Sequence, residues 1–304
     1  MLVRPTRSFP GTIFLFRGSA ISGVWPYLLF LAVYAATITW LYPVDGFESS
    51  LTLAPFTLIG LALSIFLGFR NNACYDRWWE ARKLWGALIN QTRSFARQSC
   101  TLLAAEHAVQ REFVMHTIAF THALRLHLRQ QIDRLDELKA FLPDAEVEVL
   151  KQQRNVPNAI LHTMGERVRD MWKAGHIDTL HVPIFEGSLE TFSNIQGGCE
   201  RIKNTPVPIA YTMLTHRIVG VYCLALPFGV IDTVGVFTPV VVVLVSFAFL
   251  GLDGVGSQIE DPFEEDPNDL PLLALSRTIE IDLKQRIGEA ELPDPVPVVD
   301  GILY

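Results

Sequence analysis

LALSIFLGFRNNACYDRWWEARKLWG, residues 61–86, changes character at one position. Up to Phe69 the run is apolar; from Arg70 onward it is charged, amide-rich and aromatic. Leu61, Ile65 and Phe69 recur at every fourth residue, so on a helix they form one stripe. Two readings of that stripe stand side by side. It is a face for packing against another helix, or it is one wall of a pore, where a ring of subunits turns each position into an apolar collar that gates by dewetting. Arg70, Asn71 and Asn72 follow the stripe directly, where a pore would widen into a polar vestibule.

Extended back to Leu51, the apolar part (residues 51–69) is long enough to cross a bilayer core of about 30 Å, which takes about 20 helical residues. Residues 21–42, 209–230 and 234–252 are further spans of this kind, four in all. Trp25, Tyr27, Trp40 and Tyr42 stand near the ends of the first, as interfacial aromatics do. The third carries His216 and Arg217, charges that face protein, water or an interface rather than lipid.

Loop charge gives a direction. Asp45 and Glu48, with no Lys or Arg, join spans one and two, and Asp232 lies between spans three and four. Arg4, Arg7 and Arg17 precede span one, Arg70, Arg77, Arg82 and Lys83 follow span two, and Arg201 and Lys203 precede span three. The basic side is cytoplasmic by the positive-inside rule. Both termini, residues 70–208 and residues 253–304 are therefore expected in the cytosol of a multi-pass protein of the cytoplasmic membrane.

Composition agrees with this segregation. Mean hydropathy is +0.27 although 19% of residues are charged. A net charge of −7 excludes nucleic acid as the main partner, because phosphate binding needs a basic face. Cys74, Cys100, Cys199 and Cys223 form no C-x-x-C pair and read as reduced thiols. The first 25 residues lack a short apolar run ending in a cleavage site, so no cleaved signal peptide is expected. No Ser–His–Asp set, phosphate loop or carboxylate pair points to an enzyme, and His116, His122 and His127 are not at metal-ligand spacing.

Residues 70–208 read as helices. In REFVMHTIAFTHALRLHL, Phe113, Ile118, Leu124 and Leu128 alternate with Arg111, Arg125 and Arg129. Pro143, Pro157 and HVPIFEG mark breaks, and no run of alternating strands or internal repeat occurs. The polar part is thus a helical extension of the membrane helices. Trp78, Trp79 and Trp85 are expected at the juncture of the membrane and cytosolic layers, and Glu80 and Arg82 in ion pairs between helices or subunits.

GFRNNACYDRWWEARKLWG, GGCERIKNTPVPIAYT (residues 197–212) and IEDPFEEDPNDLPL (residues 259–272), in this order, resemble the bacterial bestrophins, and the resemblance covers nearly the whole of residues 1–304. It implies one subunit type: an all-α membrane protein whose four transmembrane helices continue into a helical cytosolic domain. Five copies would assemble around a central pore in the bilayer, with neck collars at Leu61, Ile65 and Phe69 and a vestibule at Asn71 and Asn72. A second, cytosolic aperture falls at or near Leu180 in GHIDTLHV, where the local match is poor. Animal relatives carry aromatic rings in the middle of the neck and conduct chloride, an anion suited to electropositive ring edges. The aliphatic Ile65 and the acidic soluble part lean instead to monovalent cations such as sodium, with chloride as the alternative.

The stretch after span four corresponds to a calcium clasp in animal relatives. Gln258, Asp261, Asp266 and Asp269 fall at the matching spacing, but Pro267 and Asn268 interrupt the run, and a solvated acidic turn capping the next helix is the competing reading. The Pro-rich tail GEAELPDPVPVVDGILY carries Val296, Val298, Val299, Ile302 and Leu303, apolar enough to strap a neighbouring subunit. A secondary transporter would show inverted repeats, and a membrane-anchored scaffold would not need so regular a stripe.

Overall fold

A computed structural model describes residues 1, 21–42 and 51–304. The early arginines and the loop holding Asp45 and Glu48 lie outside the described residues. The described residues are almost wholly helical: α1 (Ile21–Leu41), α2 (Leu53–Thr101), α3 (His107–Leu128), α4 (Asp144–Leu150), α5 (Val156–Lys173), α6 (Val182–Asn204), α7 (Ile209–Val234), α8 (Thr238–Ile259) and α9 (Leu272–Arg286). Short 3-10 turns cover Ile132–Ala140 and Gly235–Phe237, and the sole extended pairing among these residues is the Val299–Ile302 bridge. The prolines act as the breaks they promised. Pro143 is the N-cap of α4, while Pro157 and Pro183 sit in the first turns of α5 and α6, where a missing N–H costs nothing.

Three helical stretches are apolar and long enough to cross a membrane: Gly23–Leu41, Leu53–Thr101 and Ile209–Ile259. The third contains α7, the 3-10 turn and α8. The break between them falls at Gly235, whose φ of +54° suits glycine, so Asp232 belongs to the last turn of α7 rather than to a loop. The second does not stop at Phe69: α2 is one unbroken helix of 49 residues, joining apolar and charged halves without a linker.

The chain divides into two compact units. One holds the described residues from 21 to 78 together with Pro206–Asp261. Its core is Leu31 and Ala35 of α1, Phe56, Leu63 and Leu67 of α2, Val219, Tyr222, Cys223, Leu226 and Val230 of α7, and Val242 and Phe249 of α8. Helix contact is closest where side chains are absent. A Cβ on Gly229 would lie 2.4 Å from the Phe56 ring, and one on Gly256 2.3 Å from Asn71 Oδ1.

The other unit holds Trp79–Thr205 and Pro262–Tyr304. Its centre is aromatic: the Phe95 ring lies 5.7 Å from Phe192, 5.9 Å from Phe185 and 6.3 Å from Phe113, centroid to centroid. Here α3 departs from the amphipathic reading. It runs through the middle of the unit, so Arg125 and Arg129 are buried along with the apolar residues; Arg125 pairs with Glu137, and Arg129 Nη1 donates to Glu265 Oε1 at 3.0 Å. Of the tryptophans, Trp85 is fully buried in this unit and Trp79 is exposed. Glu80 pairs with Arg201 of α6, an inter-helix contact. The cysteines are free thiols, and burial pushes that of Cys199 up to about 12, which keeps it protonated and inert.

Candidate pore-lining site

Helix α2 presents opposite faces to opposite environments. Phe56, Leu63, Leu67, Arg70 and Cys74 are buried against α1, α7 and α8 or their ends. Leu61, Ile65 and Phe69 point the other way and are 62%, 52% and 69% exposed. A stripe that packed its own subunit would be covered; this one is left open by the described helices around it. Phe69 also borders an apolar cavity of about 420 Å³ lined by Leu63, Phe66, Tyr211 and Leu214, so its ring has room to move off the stripe.

The two asparagines separate. At 100° per residue, Asn72 lies about 20° from Leu61 on the helical wheel and Asn71 about 80° to the other side. Asn72 is exposed in line with the stripe. Asn71 is half-buried and its Nδ2 donates to the Leu252 carbonyl at 2.9 Å, so it ties α2 to α8 and takes no part in the exposed line. Leu180 belongs to the other unit, in the turn before α6. It is 80% exposed, its N–H held by Asp178 Oδ1 at 2.8 Å.

Directly behind the stripe is a charge cluster that sequence reading did not assemble. Arg70 is buried; its Nη1 donates to Asp253 Oδ1 at 2.6 Å, and its Nη2 to Ser257 Oγ at 2.9 Å and Glu260 Oε2 at 3.3 Å. Asp253 Oδ2 in turn lies 2.8 Å from His216 Nε2, which gives the histidine of the third span a protein partner. The signal was positional: Arg70 and Asp253 are each the first residue after a predicted span.

The acidic run is divided between the two units. Gln258 and Asp261 belong to the unit of α7 and α8, Asp266 and Asp269 to the other. Among the described residues no three His, Cys, Asp or Glu side chains converge to hold a metal. Glu264 is paired with Lys203 and Glu265 with Arg129. Asp269 is buried and its Oδ2 accepts the Asp266 N–H at 2.8 Å, closing the turn ahead of α9; burial pushes its carboxyl up to about 7. One orphaned oxygen, Asp269 Oδ1, is far short of the roughly six to eight that Ca²⁺ takes. The geometry is that of a side-chain-closed turn ahead of α9, whose N-cap is Pro271 with no side-chain cap.

A family model described as Bacterial/Fungal Bestrophin protein matches residues 1–285. The chain belongs to the bestrophin family. This bestrophin is 44% identical over 303 residues to a voltage-dependent anion channel-forming protein of Ralstonia nicotianae, covering 97% of each chain. It is 40% identical over 297 residues to one of Salmonella typhi, covering 96% of each. A crystal structure of a bacterial bestrophin homologue from Klebsiella pneumoniae superposes with a TM-score of 0.83 at 35% identity, over 87% of this chain and 98% of that one. The three motifs that carried the resemblance thus pointed to the right family, and the nearly all-helical fold of the bestrophin homologue is the one observed.

Proposed function

We propose that this bestrophin is one subunit of a homopentameric channel of the cytoplasmic membrane. It passes monovalent ions through a hydrophobic neck of Leu61, Ile65 and Phe69, with Asn72 at the neck's inner mouth and Leu180 at a second constriction. The observation that carries this reading is the exposure of the Leu61–Ile65–Phe69 stripe on the face of α2 opposite its core. Apolar collars of this kind set a dehydration barrier and gate by dewetting. The relatives named as channel-forming give it independent support.

Four crossings of alternating direction are supported by which ends meet, and loop charge places both termini on the cytoplasmic side. Tyr42, closing span one, bonds Asp232, and the Leu51 N–H that opens span two donates to the Phe228 carbonyl at 2.9 Å near the close of span three. At the opposite ends, Arg70 and Asn71 meet Asp253 and Leu252, the close of spans two and four. Alternating directions bring these ends together.

Monovalent cations are the favoured permeant ions, because the middle collar is aliphatic and offers no electropositive ring edge. Anion conduction is the second reading, favoured by the names of the relatives. Purified protein in planar bilayers, recorded with ion substitution, separates them. Single-channel steps with a reversal potential tracking sodium support the first; steps tracking chloride select the second; no steps overturn the channel. Ile65→Phe is expected to move the reversal potential toward the anion. A change of about 1 kcal/mol, the worth of one aromatic edge contact, is roughly a fivefold shift in permeability ratio. An unmoved potential removes Ile65 from the explanation.

The tail is an assembly arm in this scheme. Leu292, Val298 and Val299 are exposed, while its tip is anchored at home: the Ala274 N–H donates to a Tyr304 oxygen at 2.7 Å, and Ile302 is buried. Truncation after Leu292 is expected to shift the solubilised protein to smaller species on sizing; an unchanged profile leaves the tail without that role.

A further inference from the structure

The exposed line on α2 does not end in asparagine. One turn beyond Asn72 comes Asp76, about 60° from Leu61 on the helical wheel and so between the azimuths of Ile65 and Phe69. Seven residues of rise place it about 10 Å along the helix from Phe69. Asp76 is exposed, and among the described residues its carboxylate has neither a hydrogen bond nor an ion pair. That is unusual in this part of the chain. Arg70, Asp253, Glu260 and His216, charged or titratable groups behind the same helix, are all partnered. Arg77, the adjacent basic residue, turns away: its Nε donates to the Glu260 carbonyl at 3.1 Å. The residues one turn either side of Asp76 are Asn72, Ala73, Trp79 and Glu80, so apart from Arg77 no cation stands within one turn on its own helix. Lys83 is the next basic residue on that face. It is seven residues on, about 10 Å of rise, which exceeds the Debye length of about 8 Å at physiological salt.

We propose that Asp76, repeated around the ring, forms an acidic collar just inside the hydrophobic neck and sets the sign of the ions that reach it. The proposal rests on the pore reading above and adds to it a residue that determines specificity. The neck supplies a dehydration barrier that is nearly blind to charge. An unpaired carboxylate at its inner mouth raises the local cation concentration and lowers that of anions, as acidic rings do in cation channels. Neither Ile65 nor any other collar residue can do this, because none carries charge.

The test is a set of variants of the full-length protein recorded in planar bilayers under an asymmetric NaCl gradient. In dilute salt, Asp76→Asn is expected to lower the sodium-to-chloride permeability ratio by about threefold, the size of one exposed charge interaction, and Asp76→Lys to lower it further. Asp76→Glu should keep the wild-type ratio. At about 1 M salt, where the Debye length falls to about 3 Å, the variants should converge on wild type. This salt dependence is what a merely structural role would not give, and because Asp76 is exposed and unpaired all three variants should melt with wild type. The direction of the shift is the same whether the wild-type pore prefers sodium or chloride. Ratios unchanged by Asn and Lys in dilute salt overturn the proposal and leave the pore standing. Absence of steps from the wild-type protein overturns the pore, and the collar with it.

Discussion

Arg70→Met is expected to destabilise the unit of α1, α7 and α8 by about 3–5 kcal/mol, the cost of leaving a buried charge without its partner. The side chain is 2% exposed and binds Asp253, Ser257 and Glu260 at once. Methionine fills the volume but leaves Asp253 with only His216, which is half in solvent, and strands Glu260. Because each kcal/mol is worth roughly 2 °C or more in a chain of this size, the melting midpoint of the solubilised protein should fall by on the order of 10 °C. Tryptophan fluorescence against temperature reads it. A second variant tests the cause: Arg70→Met with Asp253→Leu removes both charges and should recover much of the loss, since apolar substitutes for a buried pair are often tolerated. A single variant that melts with wild type would show that the pair contributes nothing.

Phe95→Ala should cost the other unit about 3–5 kcal/mol, the usual range for emptying a phenylalanine site. Phe95 is wholly buried and its ring meets three others, from α3 and both ends of the Phe185–Phe192 stretch of α6. Truncation removes the apolar burial and the edge contacts together and leaves a cavity bounded by two helices that cannot close over it. Phe95→Leu keeps most of the volume and should recover the larger part. Protease resistance of the solubilised protein measures the effect: faster cleavage within residues 107–204 for Ala and near-normal resistance for Leu. Equal resistance of Ala and wild type would mean that the aromatic cluster is not what holds this unit together.

How much was legible follows from the range over which each signal acts. A span is a sum over about 20 residues, so hydropathy finds it even when its ends blur. Each predicted apolar stretch falls on one of the three membrane-length helical stretches, and the turn expected between the last two sits at Gly235–Phe237, a few residues later than charge alone suggested. The stripe Leu61, Ile65, Phe69 needs only helical register to fall on one face, and the structure leaves that face exposed, which register alone did not decide. The same register separates Asn72 from Asn71, and reading the two as one polar step missed it. Arg70 and Asp253 are 183 positions apart, and no local pattern joins them. Arg125 and Arg129 looked like a solvated face because their partners, Glu137 and Glu265, come from segments that periodicity does not connect to α3. Burial of a charged residue is decided by tertiary partners, and those are what a single sequence conceals.

The absence of any break in α2 has a mechanical consequence. Leu61, Ile65, Phe69, Asn72 and Asp76 are fixed to one rod, with no hinge glycine pair or proline between them and no change of helix type. Twisting that rod by about 100° would move every one of these side chains by one residue's azimuth, in step. A gate made this way has one degree of freedom: torque applied anywhere along the rod that turns the apolar rings out of the channel axis must turn the acidic residue with them. Barrier and filter would then be worked by the same shaft, and a stimulus could not retune one while leaving the other in place.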